Sequence, residues 1–97
     1  MRARQPDFPV IELAPVMRAD ILLRGDSGTL DYFSRHLQTE AVFNRGLKMR
    51  KEMKPDQLQV VCEGRAGRLK SFVRWCHNGP PMSRADSVEV EWKRPSK

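Results

Sequence analysis

The chain has 97 residues, which is room for one small domain and one hydrophobic core. Its 39% hydrophobic and 31% charged residues suit a globular protein. Apolar runs as short as Ile21-Leu22-Leu23 exclude a membrane-spanning helix, which needs about 20 such residues. The net charge of +6 suggests polyanions, yet half of the excess sits in the tail at Lys93, Arg94 and Lys97.

The first 16 residues contain Pro6, Pro9 and Pro15, which remove backbone donors that a regular ladder needs, so they predict an extended arm. Phe8, Val10, Ile11 and Leu13 give that arm an apolar content suited to packing on the domain or on a partner. Arg2 and Arg4 are followed by no apolar stretch, which predicts no secretory leader. From Met17 to Arg24, Met17, Ala19, Ile21 and Leu23 fall on one face, a strand pattern. Gly25-Asp26-Ser27-Gly28 breaks it. Leu30, Phe33, Leu37 and Ala41 then form a helical stripe, for which Thr29 is the expected N-cap and Asp31 a first-turn acid. Asn44 to Gly46 is the expected stop.

Leu47 to Met53 predicts a strand, at an edge because it is so charged. Lys54-Pro55-Asp56 is turn chemistry. Leu58, Val60 and Cys62 alternate with polar neighbours in a half-buried strand that Gly64 is expected to end. Ala66, Leu69, Phe72, Val73 and Cys76 follow helical spacing up to Asn78-Gly79-Pro80-Pro81. Val88, Val90 and Trp92 alternate with Glu89 and Glu91 in a last strand. The order βαββαβ predicts an α+β, ferredoxin-like split βαβ fold. That fold is a four-stranded antiparallel sheet with two helices on one face. The expected organisation is an arm at 1–16, a domain at 17–92 and a basic tail at 93–97.

The segment from Leu69 through Trp75-Cys76-His77-Asn78-Gly79-Pro80-Pro81, with Val88-Glu89-Val90-Glu91-Trp92, resembles the C-terminal half of an acylphosphatase. Val60-Val61-Cys62-Glu63-Gly64 resembles that family's third strand, and Asp31-Tyr32-Phe33-Ser34-Arg35 sits where its first helix begins. The resemblance runs over roughly residues 19–92. It implies metal-free hydrolysis of the carboxyl–phosphate bond of acyl phosphates, with no cofactor. In the family a loop of consecutive amides cradles the phosphate, an arginine closing that loop pairs with its oxygens, and an asparagine after the second strand orients the water. Both arrangements fit the needs of phosphoryl transfer, positioning and charge stabilisation.

The corresponding loop here is Gly25, Asp26, Ser27, Gly28, Thr29, Leu30 and Asp31, about two residues shorter, with Asp31 at the arginine position. The asparagine position falls on Glu52, or on Met53 with a one-residue shift. Two carboxylates thus replace a cation and an amide. A phosphate beside Asp31 meets repulsion of about 1 kcal/mol at contact distance even in water. The expected function is therefore an acylphosphatase-like domain that has lost efficient hydrolysis and acts as a binding or regulatory module. Its ligand would be an acyl phosphate, another small anion or a protein partner. The alternative is a working acylphosphatase with a relocated arginine, Arg24 or Arg35, or a cation entering from Arg50 or Lys51 on the second strand.

A second alternative is a small basic nucleic-acid binder using Arg45, Lys48, Arg50, Lys51 and Lys54. It is disfavoured because the strands at 17–24 and 57–63 lack the aromatics of an RNA-recognition sheet. Gly25-Asp26-Ser27-Gly28 also spells a serine-protease nucleophile motif, a coincidence in a chain too small for the scaffold around that triad. His36, His77, Cys62 and Cys76 show no metal-ligand spacing, so no metal is expected. The two cysteines fit reduced thiols in a cytoplasmic protein.

Overall fold

The computed structural model describes residues 16–80 and 84–95. Four strands and two helices alternate as expected: β1 (Val16–Arg24), α1 (Ser27–Gln38), β2 (Lys48–Lys54), β3 (Gln57–Arg65), α2 (Ala66–Asn78) and β4 (Ser87–Lys93). The sheet order is β2-β3-β1-β4 and every neighbouring pair is antiparallel. This is the ferredoxin-like α+β architecture. Residues 1–15, most of the expected arm, lie outside the described residues, as do 96 and 97 at the end of the expected tail. Val16, assigned to the arm, opens β1, and β3 runs one residue past Gly64 to Arg65.

Strand alternation decides what the sheet offers to the helices. Ala19, Ile21 and Leu23 of β1 and Leu58, Val60 and Cys62 of β3 are buried, and in the register Ile21 lies opposite both Val60 and Val90. The helices complete this layer with Leu30, Phe33 and Leu37 from α1 and Leu69, Phe72, Val73 and Cys76 from α2. Trp75 joins them, edge-on to Phe33 at 5.4 Å and stacked on Phe72 at 6.1 Å between centroids. Trp92 shares the helix-facing side of β4 but lies at its open end, 40% exposed.

The start of α1 differs from the expectation. Asp26, not Thr29, is the N-cap, and the first turn holds no acid, because Asp31 comes one turn later. Ser27, Gly28 and Thr29 form that turn without an apolar residue, so the apolar stripe begins after the helix does. At the other end α1 passes into a π-helical turn at Thr39–Phe43, where the Asn44 amide donates to the Thr39 carbonyl. Gly46, with φ +64°, closes the segment in a backbone region that glycine enters without strain.

Burial pushes the Cys62 thiol up to about 12, and Cys76 upward as well. Both are fully within the core, and thiolate is the reactive form. Neither cysteine should react with a thiol reagent at neutral pH until denaturant is added. Rapid labelling of the native protein would contradict this packing. Phe33→Ala should lower stability by about 3–5 kcal/mol, a large share of what a small domain has. A urea midpoint within error of the parent would show that the ring does not hold α1 to α2.

Candidate functional site

The loop that follows β1 is held at both sides by backbone bonds. The Gly25 amide donates to the Asp56 carbonyl at 3.2 Å, and the Asp86 amide to the Arg24 carbonyl at 2.7 Å. These tie the start of α1 to the β2–β3 turn and to the entry of β4. The amides at this helix start are the donors that an anion would need. Asp26 takes up the Thr29 amide itself. Its carboxylate accepts from the Thr29 amide at 2.8 Å and from the Thr29 hydroxyl at 2.9 Å. Those bonds, first from the Thr29 amide and then from its hydroxyl, hold the Asp26 carboxyl below the usual carboxylate range. The local reason is in the sequence Asp26-Ser27-Gly28-Thr29. A short carboxylate before the helix reaches the amide three residues on.

The other loop-end positions are pinned in different ways. Leu30 is fully buried in the core. Asp31 bonds Arg35 at 2.9 Å, one turn along the exposed surface of α1. Arg24 points to the sheet face away from the helices, where it meets Glu89 at 3.8 Å. Neither arginine is drawn to the amides at the start of α1. Each is engaged by a carboxylate of its own neighbourhood.

On β2 the alternation separates residues that adjoin in sequence. Lys51 lies opposite Val60, a core residue, so it faces the helix layer. Its ammonium donates to the Ser34 carbonyl at 3.0 Å. Glu52, paired with Gln59, faces the opposite side. Met53, the shifted alternative, returns to the helix side opposite Leu58. Burial lowers the Lys51 pKa while the Asp31 charge opposes that shift. The structure therefore gathers Asp31, Arg35 and Lys51 around the flank of α1, with Asp26 and Thr29 at its start. Arg24 and Glu52 are left on the other face. Sequence spacing named Lys51 only as one of two cations on the strand. The parity set by its neighbour Val60 is the signal that distinguishes it from Arg50.

Comparison with known proteins places this fold. The family model described as Acylphosphatase matches residues 32–97, about two-thirds of the chain. The chain belongs to the acylphosphatase family. A curated acylphosphatase from Anaeromyxobacter dehalogenans (strain 2CP-C) is 46% identical over 43 residues, covering 43% of this chain and 46% of that protein. An acylphosphatase from Rubrobacter xylanophilus is 53% identical over 38 residues, 38% of this chain and 34% of that protein. The chain thus spans less than half the length of these curated relatives. A solved acylphosphatase from Coxiella burnetii superposes with a TM-score of 0.72 at 15% identity, over 86% of each chain. One from Bacillus subtilis gives 0.69 at 23%, over 84% of this chain and 89% of that one. At these identities the structural matches speak for the acylphosphatase fold. The family match starts one residue beyond Asp31, so the loop at 25–31 lies outside it.

No helix among the described residues is long and apolar enough to cross a membrane. Among the same residues, no group of three or more potential metal ligands is assembled.

The lowered Asp26 pKa has a definite pH signature. A carboxylate favoured in the folded state adds stability that is complete above its unfolded pKa of about 3.9. That stability is lost as pH falls through the lowered folded value. Asp26→Ala should therefore melt lower than the parent at neutral pH, and the two should converge as the pH drops below about 4. Coincident melting curves from neutral pH down to about pH 2 would mean that the cap contributes nothing, and a constant offset that its charge does not matter.

Proposed function

We propose that this acylphosphatase-family chain has lost efficient acyl-phosphate hydrolysis and serves as a binding or regulatory module. The observation that carries the reading is the Asp26 carboxylate seated on the Thr29 amide and hydroxyl. A phosphate arriving at the start of α1 meets a negative charge already satisfied by the donors it needs. The second support is Asp31 at the position where the resemblance calls for an arginine, with its neighbour Arg35 turned to it. Displacing Asp26 breaks two hydrogen bonds and brings two anions together, both of which cost free energy. Removing one pre-organised donor from a phosphoryl or acyl transition state typically slows it about a hundred- to a thousandfold. At this site the Thr29 amide and hydroxyl are taken, and an aspartate stands where the resemblance calls for the arginine. A small anion or a protein partner is the class of ligand this reading assigns to the module.

One observation favours a second reading, a working hydrolase with a relocated cation. Lys51 enters the helix side of the sheet near Asp31 and is partly desolvated. An ammonium there could approach a phosphoryl group that Asp31 does not exclude. Arg24 and Arg35 are the other replacements, each needing to leave a carboxylate first.

Benzoyl phosphate separates the two readings. The purified protein should release phosphate no faster than buffer alone at high protein concentration, and Arg24→Ala, Arg35→Ala and Lys51→Met should match it. Turnover well above the spontaneous rate, abolished in one of these variants, would sink the inactive reading and name the replacement cation.

A further inference from the structure

The far end of the helix layer carries a second constellation, roughly 20 Å along α1 from the Asp26 cap at the helical rise per residue. A cleft of about 520 Å³ opens between the Thr39–Phe43 turn and the first turn of α2, with Phe43, Gly46, Gly67, Arg68 and Ser71 in its walls. Phe43 is 79% exposed, far more than any other large apolar side chain described. It ends the π-helical turn, a geometry often kept at functional sites. A phenyl ring left this bare beside a cleft is available for stacking.

The charge beside it runs against the usual rule for helices. The start of α2 has no side-chain cap and no acid in its first turn. Instead Arg65 stands at the cap and Arg68 within that turn, where the helix dipole disfavours cations. Lys70 and Arg74, one turn apart, lie across the exposed side of α2 from Arg68, and the sequence has no carboxylate between Glu63 and Asp86. Among the described residues Arg68, Lys70 and Arg74 form no ion pair, and Arg68 holds one long bond of 3.3 Å, to the Arg45 carbonyl. Arg45 is otherwise committed. It bonds the Ser71 hydroxyl at 3.1 Å and the Glu40 carboxylate at 2.8 Å, so it braces the cleft wall with its charge neutralised. Gly67 adds an open backbone: a methyl group there would touch nothing within 4 Å, so no packing within the described fold demands glycine.

We propose that this cleft and the adjoining face of α2 bind single-stranded nucleic acid. Backbone phosphates cross the exposed side of α2 from Arg68 to Lys70 and Arg74, and one base stacks on Phe43. The sheet platform used by RNA-recognition motifs is absent, since neither β1 nor β3 carries an aromatic residue, so the contact uses the helix layer instead. Unpaired cations with a protruding ring match the two elements of single-strand binding, electrostatic tracking and base stacking. A duplex hides its base faces from Phe43. An anionic membrane would require apolar side chains along α2 to insert, and its exposed positions are polar, charged or glycine. The proposal is independent of the loop at 25–31, and neither reading falls with the other.

The test is fluorescence anisotropy of the full chain with a labelled mixed-sequence single strand of about 12 nucleotides, at several salt concentrations. The parent should bind, with an affinity that falls as salt rises. Arg68→Gln, Lys70→Gln and Arg74→Gln combined should reduce the magnitude of the log–log salt slope by about 2, at about 0.7 per phosphate contact. Phe43→Ala, at an exposed position that leaves the fold intact, should weaken binding about tenfold. A Lys48→Gln, Arg50→Gln, Lys54→Gln variant should bind like the parent. The proposal is overturned by absence of binding at low salt, or by loss in the strand variant with retention in the α2 variant. Equal affinity for duplex with Phe43→Ala unchanged also overturns it, as does a mononucleotide that binds as tightly as the strand.

Discussion

Among the described residues the helices cover one sheet face and not the other, and almost everything about the site follows from that asymmetry. Strand side chains alternate, so each residue of β2 or β3 either joins the helix layer or leaves it, with no intermediate choice. Val60 and Cys62 bind that parity to the core, and the antiparallel register passes it on to Lys51 and Met49. Shifting β2 by one residue would exchange Lys51 for Glu52 beside α1 and bury charges where Met49 and Met53 now sit. The register that protects the core therefore also decides which sign of charge reaches the flank of α1.

The fold was legible because its signal is hydrophobic and repeated. Ile21, Leu58 and Val60 mark strand faces, while Leu30, Phe33, Leu37 and Leu69, Phe72, Val73 mark helix stripes. The two helices cover the alternating strands in the number the sheet requires. What was not legible depended on polar groups and on register. The apolar stripe begins at Leu30 and so points to Thr29 as the start of α1. The cap is Asp26, since a short carboxylate gains a backbone amide three residues later whether or not that turn is buried. Aligning the asparagine position by counting led to Glu52. Counting carries no information about which face a residue occupies, and the Pro55-Asp56 turn alone sets the offset between β2 and β3. The basic side of α2 is less legible for a related reason. Its cations are interleaved with the apolar stripe of Leu69, Phe72 and Val73, whereas Arg45, Lys48, Arg50, Lys51 and Lys54 form a denser cluster.

The ion pairs on the open sheet face serve a different end. Arg18 bonds Asp20 at 2.7 Å and Lys93 reaches the same carboxylate at 3.0 Å, joining β1 to β4. The Arg18 guanidinium, more than Lys93, holds Asp20 below the ordinary carboxylate range. Such half-exposed pairs contribute modestly to stability. Their stronger effect is on partner choice. With Glu89 and Glu91 exposed on one edge strand and Lys48, Arg50 and Lys54 on the other, each edge carries charge that discourages uncontrolled pairing with further strands. This leaves the helix layer as the face on which a specific contact can be built.

The two helix starts have opposite electrostatic states within that layer. At α1 the amides meet an internal carboxylate, and nearby arginines are matched to Asp31 and Glu89. At α2 there is no cap, no acid, and an arginine in the first turn. A phosphate site needs unfilled amides together with an unspent cation, and neither half suffices alone. In the acylphosphatase family the resemblance assigns both halves to the start of the first helix. In this chain the start of the first helix holds the Asp26 carboxylate on the Thr29 amide, and the start of the second helix places Arg68 beside the exposed Phe43 ring. Under the readings proposed here, the fold has kept its layers and moved its affinity for phosphate from one helix start to the other. That move requires no change in topology, because the residues involved, Asp26, Asp31, Arg68 and Phe43, all lie outside the core.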